Sequence, residues 1–329
     1  MQSSHEQLLS AIGELSTSPH ESALILIGDV GIGKSTLLEE AHRREPTSTS
    51  LVRINPGEAS WPLSGVSAVV AGLHDPQAAL RMPLPEDGNV MPLAEHLAGM
   101  LRGREHPRVT VLVDNIDLLD DSSRQLIGHL CSHLAGTGVC IVGTAVQLHS
   151  DEPLAGVKRL VISPLDDTSS ERLAPRNIHT GTLRLLNWST DRNPAALLGR
   201  VEELDDEQLT GREPLAFPLP PGRPARALAA RVLARLDPMQ LAVLDRLSMC
   251  AVHSRASVAR WIEGADDALQ ELIDRGIVRE RSGYVRMTSS LLRSAVGAAL
   301  PSVKRRELHV VLQAQAAPGG AGRRAVRGR

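Results

Sequence analysis

Five short apolar runs punctuate the first half of the chain: A-L-I-L-I-G-D-V at 23–30, S-L-V-R-I-N at 50–55, V-T-V-L-V-D at 109–114, V-C-I-V-G-T at 139–144 and V-K-R-L-V-I at 157–162. Runs of this length, broken by glycine or polar residues, read as buried strands. Between them apolar positions recur at helical spacing after residue 34 and near 64–73, 91–102 and 122–135. Strands alternating with helices predict right-handed crossovers and a parallel sheet covered on both faces. Residues 1–165 therefore predict one α/β domain.

The pattern changes after Pro164. From 167 to about 210 it is helical, with Leu183, Leu185, Leu186, Leu197 and Leu198 as core candidates. Residues 211–224, G-R-E-P-L-A-F-P-L-P-P-G-R-P, hold five prolines and predict a stiff, irregular connector. Short helical patterns follow at 226–236, 238–249, 254–262 and 266–275, then two β-like runs around Ser282-Gly283, a hairpin signal. Such a set suggests a winged-helix module over 225–313, after a helical segment and connector at 166–224. Residues 314–329, rich in Ala, Gly and Arg, cannot bury a core and predict a disordered basic tail.

Composition narrows the function classes. A length of 329 residues with 42% hydrophobic and 22% charged positions suits about two folded domains. No stretch approaches the ~18 consecutive apolar residues of a membrane helix, and M-Q-S-S-H-E-Q, without a basic region followed by an apolar one, is not expected to act as a secretory signal. Three cysteines (Cys131, Cys140 and Cys250) without metal-ligand spacing predict reduced thiols and a cytoplasmic protein. A net charge of −2 gives no general attraction to nucleic acid or membranes. Trp61, Trp188, Trp261, Tyr284 and Phe217 are the only aromatics, which disfavours base stacking. Lysine is rarer still relative to arginine: Lys34, Lys158 and Lys304 are the only three among 36 basic residues.

One of those lysines carries a motif. Residues 28–35, G-D-V-G-I-G-K-S, match G-x-x-x-x-G-K-[ST] between a predicted strand and a predicted helix. Gly28, Gly31 and Gly33 let backbone N–H groups curl around an anion, and the helix behind them aims its positive end at it. Lys34 can reach the β- and γ-phosphates; Ser35, followed by Thr36, can ligate Mg²⁺. A second strand ending in an acid must hold the metal, and V-T-V-L-V-D supplies Asp114. The next position is Asn115, whose amide can orient a water but cannot take its proton. Asp117 stands near, while Asp120 and Asp121 read as caps for the following helix. The expected fold class is thus an α/β P-loop NTPase, with helices on both faces of the sheet, followed by a helical lid and a winged helix.

Beyond the phosphate loop, W-P-L-S-G-V-S-A-V-V-A-G-L (61–73), D-N-I-D-L-L-D-D-S-S-R (114–124), N-P-A-A-L-L (193–198) and L-L-R-S-A-V-G-A-A-L-P (291–301) carry a resemblance. With them, residues 5–313 resemble the amino-terminal ATPase region of the large ATP-binding LuxR-type transcriptional regulators, the MalT-like branch of the STAND ATPases. The resemblance implies a nucleotide switch: ADP holds a closed form, and ATP with an inducer permits an open, self-associating one. It implies Mg-ATP or Mg-ADP as ligand, phosphate contacts from Gly28, Gly33, Lys34 and Ser35, and an adenine contact from Pro194. Departures from the pattern are His5 for an arginine, Asn115 for the second acid and Ala145-Val146 where an arginine sensor is common. Arg192 replaces a glycine before N-P, and Ser289 and Ser290 stand where a histidine is usual. The sequence also stops without a carboxy-terminal helix-turn-helix. Weak or slow hydrolysis and protein contacts are therefore expected, rather than direct DNA binding by this chain.

Other constellations read more plainly. His129 and His133, with His96 before them, lack a third zinc ligand and read as surface histidines. No G-x-S-x-G elbow supports Ser/His/Asp chemistry. Arg323, Arg324, Arg327 and Arg329 form a small basic terminus. Arg255, Arg260 and Arg275 of the winged helix are diluted by Glu263, Asp266 and Asp267. The alternative reading is an autonomous ATPase of the origin-recognition loader kind, whose winged helix binds DNA. A third is a truncated reading frame with no activity of its own.

Overall fold

Each of the five apolar runs forms a strand in the computed structural model, which describes residues 4–18, 21–55, 57, 61–73, 89–102, 108–148, 153–215, 219, 221–260 and 264–316. The strands are β1 (Ala23–Ile27), β2 (Thr49–Arg53), β3 (Val109–Asp114), β4 (Val139–Ala145) and β5 (Lys158–Val161). They pair in the order β2-β3-β4-β1-β5, every pair parallel. The helices among them are α1 (Ser4–Thr17), α2 (Lys34–Arg44), α3 (Ser64–Gly72), α4 (Met91–Arg102) and α5 (Asp121–Cys131).

Alternate side chains of a strand face opposite ways, and this divides the core. Leu24 and Leu26 of β1, Leu112 of β3 and Val142 of β4 pack with Leu9, Ile12 and Leu15 of α1 and Leu37 and Leu38 of α2. Ile25, Val111, Val113 and Ile141 face the other way, onto Val66 and Val69 of α3, Leu93 and Leu97 of α4, and Leu126 and Ile127 of α5. Both faces of the central strands are thus dry, which is why those strands read as unbroken apolar runs.

The chain divides into two compact units, Met1–Pro164 and Leu165–Arg329. The second opens with α6 (Asp167–Leu173), α7 (Thr180–Ser189), α8 (Pro194–Val201) and α9 (Asp206–Leu209). Leu183, Leu186 and Leu197 form their core with Leu185 beside it. Leu198 does not join: it is 38% exposed, because the residue after Leu197 points about 100° away around the helix. Leu219, from the proline-rich stretch, is buried in the same cluster, and its carbonyl accepts from Arg200 Nη2 at 3.0 Å. Of the expected connector, Leu219 is therefore packed, Arg223 and Pro224 already belong to the next helix, and residues 216–218 and 220 lie outside the described residues.

Further on come α10 (Arg223–Leu233), α11 (Pro238–Leu247), β6 (His253–Ser254), α12 (Arg255–Val258), α13 (Ala265–Asp274), β7 (Val278–Arg281), β8 (Tyr284–Met287), α14 (Ser290–Ala299) and α15 (Ser302–Ala316). The three strands form an antiparallel sheet in the order β6-β8-β7. Ser282 and Gly283 have φ of 53° and 77°, the left-handed pair that a tight two-residue hairpin needs. The helix expected at 254–262 runs only through Val258, and residues 261–263 lie outside the described residues. Residues 314–316, expected in the tail, belong to α15, and 317–329 lie outside the described residues. His129 and His133 are half-buried and stack at 4.2 Å between ring centroids, rather than standing in solvent. Among the described residues no helix is long and apolar enough to cross a membrane.

Candidate functional site

The sheet order sets the carboxyl ends of β1, β4 and β3 side by side, the edge where parallel α/β sheets present loops to ligands. Beyond β1, Gly28 donates its N–H to the Ala145 carbonyl of β4 at 3.2 Å. A Cβ on Gly28 would come within 2.8 Å of Ile32 Cγ2, so the loop closes on itself only because the side chain is absent. Gly31 and Gly33 have φ of 78° and 103°, the left-handed region that favours glycine. Helix α2 begins at Lys34, and Ser35 and Thr36 are exposed in its first turn.

Lys34 is buried, and its ammonium donates to the carbonyls of Gly28 at 2.8 Å and Asp29 at 2.9 Å. Burial lowers its pKa below the ordinary lysine value, opposed by the negative charges of Asp117, Asp29 and Asp114. A lysine held over its own loop by two neutral carbonyls, in front of a helix N-terminus, fits an incoming phosphate.

Asp114, the last residue of β3, is buried and accepts a 2.6 Å hydrogen bond at Oδ1 from the Thr144 hydroxyl of β4. The same hydroxyl accepts the Asn115 N–H at 2.9 Å. Asn115 sits at φ 62°, a left-handed turn that asparagine tolerates better than most residues. That turn starts a 3-10 segment, Ile116–Leu118, and brings Asp117 back toward the sheet edge. Asp117 Oδ2 accepts the Val146 N–H just past β4 at 2.8 Å. Burial raises its pKa above the ordinary aspartate value, opposed by the Val146 N–H and the Lys34 charge. From α5, Arg124 donates to the carbonyls of Asp117 at 3.2 Å and Leu119 at 2.9 Å, latching the segment. Asp120 caps α5 through Ser123 N–H at 2.9 Å and also accepts the Leu63 N–H at 3.1 Å.

Residues 3–142 match the AAA ATPase domain family. Within the matched residues the glycines of the loop, Lys34, Ser35, Thr36, Asp114 and Asn115 share one unit. Pro194 is in the other, in the first turn of α8 behind the cap residue Asn193, whose Oδ1 accepts Ala196 N–H at 3.1 Å. Arg192 just before them has φ 57°, so the position where the resemblance implies glycine is left-handed here too.

Solved structures show distant likeness. A STAND protein with a tetratricopeptide repeat sensor from Pyrococcus horikoshii is 14% identical, with a TM-score of 0.40. The likeness covers 94% of this chain but 45% of that one, so the chain spans less than half of that protein. The Cdc6p protein of Pyrobaculum aerophilum is 15% identical at a TM-score of 0.40, covering 93% of this chain and 94% of its own. The ORC1 protein of Aeropyrum pernix, solved in complex with DNA, is 16% identical at a TM-score of 0.45, with 91% and 93% covered. No curated protein matches the chain.

Two residues of this edge escaped the sequence reading. Thr144 joins β3 to β4 at the acid, and its one signal was a polar residue ending an otherwise apolar strand. Arg124 holds the turn that carries Asp117, a role that no spacing reveals.

Proposed function

We propose that this chain is an ATP-binding switch protein of the STAND kind, close in plan to the LuxR-type regulators. On this reading it binds Mg-ATP and Mg-ADP at the phosphate loop, hydrolyses slowly and signals through conformational change and protein contacts, including self-association. The observation that carries it is the pairing of a lysine poised over a glycine-rich loop with a buried acid on the next strand but one. Lys34 would leave its two carbonyls for the β- and γ-phosphates, whose charge offsets the cost of burying the ammonium. Ser35 and Asp114 would hold the Mg²⁺, which would supply neutralisation of phosphate charge when bound. Asn115 would orient water without accepting its proton. In this reading residues 166–224 act as lid, with Pro194 against the adenine, and 225–313 as a winged helix that reports on the nucleotide.

Isothermal titration with ATP, ADP and GTP, with and without Mg²⁺, tests the reading. Saturable, Mg²⁺-dependent ATP and ADP binding is expected; no heat with either would overturn it. The competing reading, a DNA-loading ATPase, loses one of its candidate phosphate contacts to ion pairs within the second unit. Arg255 is paired with Asp266 at 3.0 Å and Glu280 at 2.6 Å. Rapid turnover together with a specific DNA shift would favour that alternative.

A further inference from the structure

A cleft of about 600 Å³ opens within the second unit, a size suited to a small molecule. Its lining is unusual in charge. Arg200 is 4% exposed, and its guanidinium donates to a neutral acceptor, the Leu219 carbonyl. Glu203, the acid whose charge acts on Arg200, is paired with Arg226 at 2.5 Å. Arg305 also lines the cleft and donates to the carbonyls of Gly297, Ala298 and Leu300, again all neutral. Arg293, the third guanidinium, is paired with Asp191, the one carboxylate among the described lining residues. Three arginines therefore face one acid, and among the described residues neither Arg200 nor Arg305 forms an ion pair.

A buried cation with neutral partners is costly unless an anion meets it, and guanidinium is the group that grips carboxylate or phosphate with two parallel bonds. Ser189, Ser248, Ser294 and His309 add polar groups to the lining, and apolar side chains supply much of the rest. Trp188 stands at the cleft and is 69% exposed, in a chain with three tryptophans in all, and Met249 and Leu219 also line it. An exposed indole beside an apolar wall is a face for a flat or aliphatic body.

We propose that this cleft binds a small organic anion, an apolar body carrying a carboxylate or phosphate. The anionic head meets Arg200 and Arg305, and the body lies on Trp188. The site lies wholly in the second unit and does not depend on nucleotide binding at the phosphate loop.

Cys250 lines the same cleft and is exposed, whereas Cys131 and Cys140 are buried. Burial pushes the Cys131 thiol up to about 12 and raises Cys140 as well, so alkylation at neutral pH reports on Cys250. The test measures the rate of Cys250 alkylation by iodoacetamide in the full chain with phenyl phosphate, benzoate or benzyl alcohol as probe. Phenyl phosphate or benzoate is expected to slow the reaction ~10-fold at ten times its Kd, and which of them does so identifies the head group. Benzyl alcohol, the same body without charge, is expected to leave the rate unchanged. Arg200 is buried, so a folded Arg200→Gln chain is not assured; Trp188→Ala at the exposed wall is expected to lose the protection while keeping the fold. Lys34→Ala is expected to keep it. Unchanged rates with both anions, equal protection by benzyl alcohol, full protection in Trp188→Ala, or its loss in Lys34→Ala would each overturn the proposal.

Discussion

Lys34 is the residue on which the phosphate loop turns, since its ammonium already sits at the loop's centre on two carbonyls. Lys34→Ala removes a charge-assisted contact of about 1.5–3 kcal/mol, so ATP should bind roughly ten- to a hundredfold more weakly in a folded chain, measured by titration calorimetry. Unchanged affinity would refute the loop's role. Asn115→Asp is nearly isosteric, and aspartate also accepts the left-handed φ of this turn. General-base help is typically worth ~10²–10⁴-fold, so phosphate release under saturating Mg-ATP should rise about tenfold or more. A wild-type rate already at ~1 s⁻¹ would make Asp117, whose carboxylate lies within electrostatic reach of Lys34, the base, and a variant no faster than wild type would point to the absent arginine beside Val146. His253 gives a prediction about acid. Burial lowers its pKa, opposed by hydrogen bonds with the backbone of Leu247 and Cys250. The folded state thus resists the proton that the unfolded state takes up below about pH 6.5, so stability falls as pH drops through that value, and the contribution of this one group stops changing below its folded pKa. Urea midpoints at pH 7.5 and 5.5 should diverge less in His253→Gln than in wild type. The loop and Asp114 were readable because their signals are local, G-D-V-G-I-G-K-S and a strand ending in an acid. Thr144 and Arg124 were not, because each acts on a residue that only the folded sheet brings near.

At the scale of elements, the five strands and the helices α3 and α4 follow the apolar pattern closely, because each buries a continuous run or a clear stripe. Helix α1 escaped notice: Leu9, Ile12 and Leu15 give it a sparse stripe, interrupted by Gly13, and only docking on α2 and β4 makes it a face. The packing of Leu219 was hidden for a similar reason, since prolines announce irregular backbone but not what a neighbouring leucine touches. Close packing also reverses a propensity argument in α5. Replacing a helical glycine with alanine usually stabilises by ~1 kcal/mol. At Gly128 the new Cβ would lie 2.7 Å from the Pro153 carbonyl oxygen, a backbone atom that cannot step aside. Gly128→Ala should therefore destabilise the chain by about 1–3 kcal/mol, read from a chemical denaturation midpoint. A more stable variant would mean that the 153–156 turn yields.

For the whole molecule, ligand linkage offers the simplest check. A nucleotide that binds only folded chain stabilises it by ~2.7 kcal/mol at a hundred times its Kd, so Mg-ATP should raise the melting temperature of wild type by several degrees and that of Lys34→Ala far less at equal concentration. An equal shift in both would place the nucleotide elsewhere. The position of β1 has a consequence in time as well as in space. It is the first strand to be made, yet both of its neighbours, β4 and β5, are among the last of the sheet. As the chain leaves the ribosome, the phosphate loop hangs from a strand with no partner until more than a hundred further residues have emerged. During that interval a bare apolar strand waits in solvent, open to chaperones and to other nascent chains. The contacts of Gly28 with Ala145 of β4 and with Ile162 past β5 form only then, so any nucleotide held by the loop is expected to bind a finished domain rather than to template its folding.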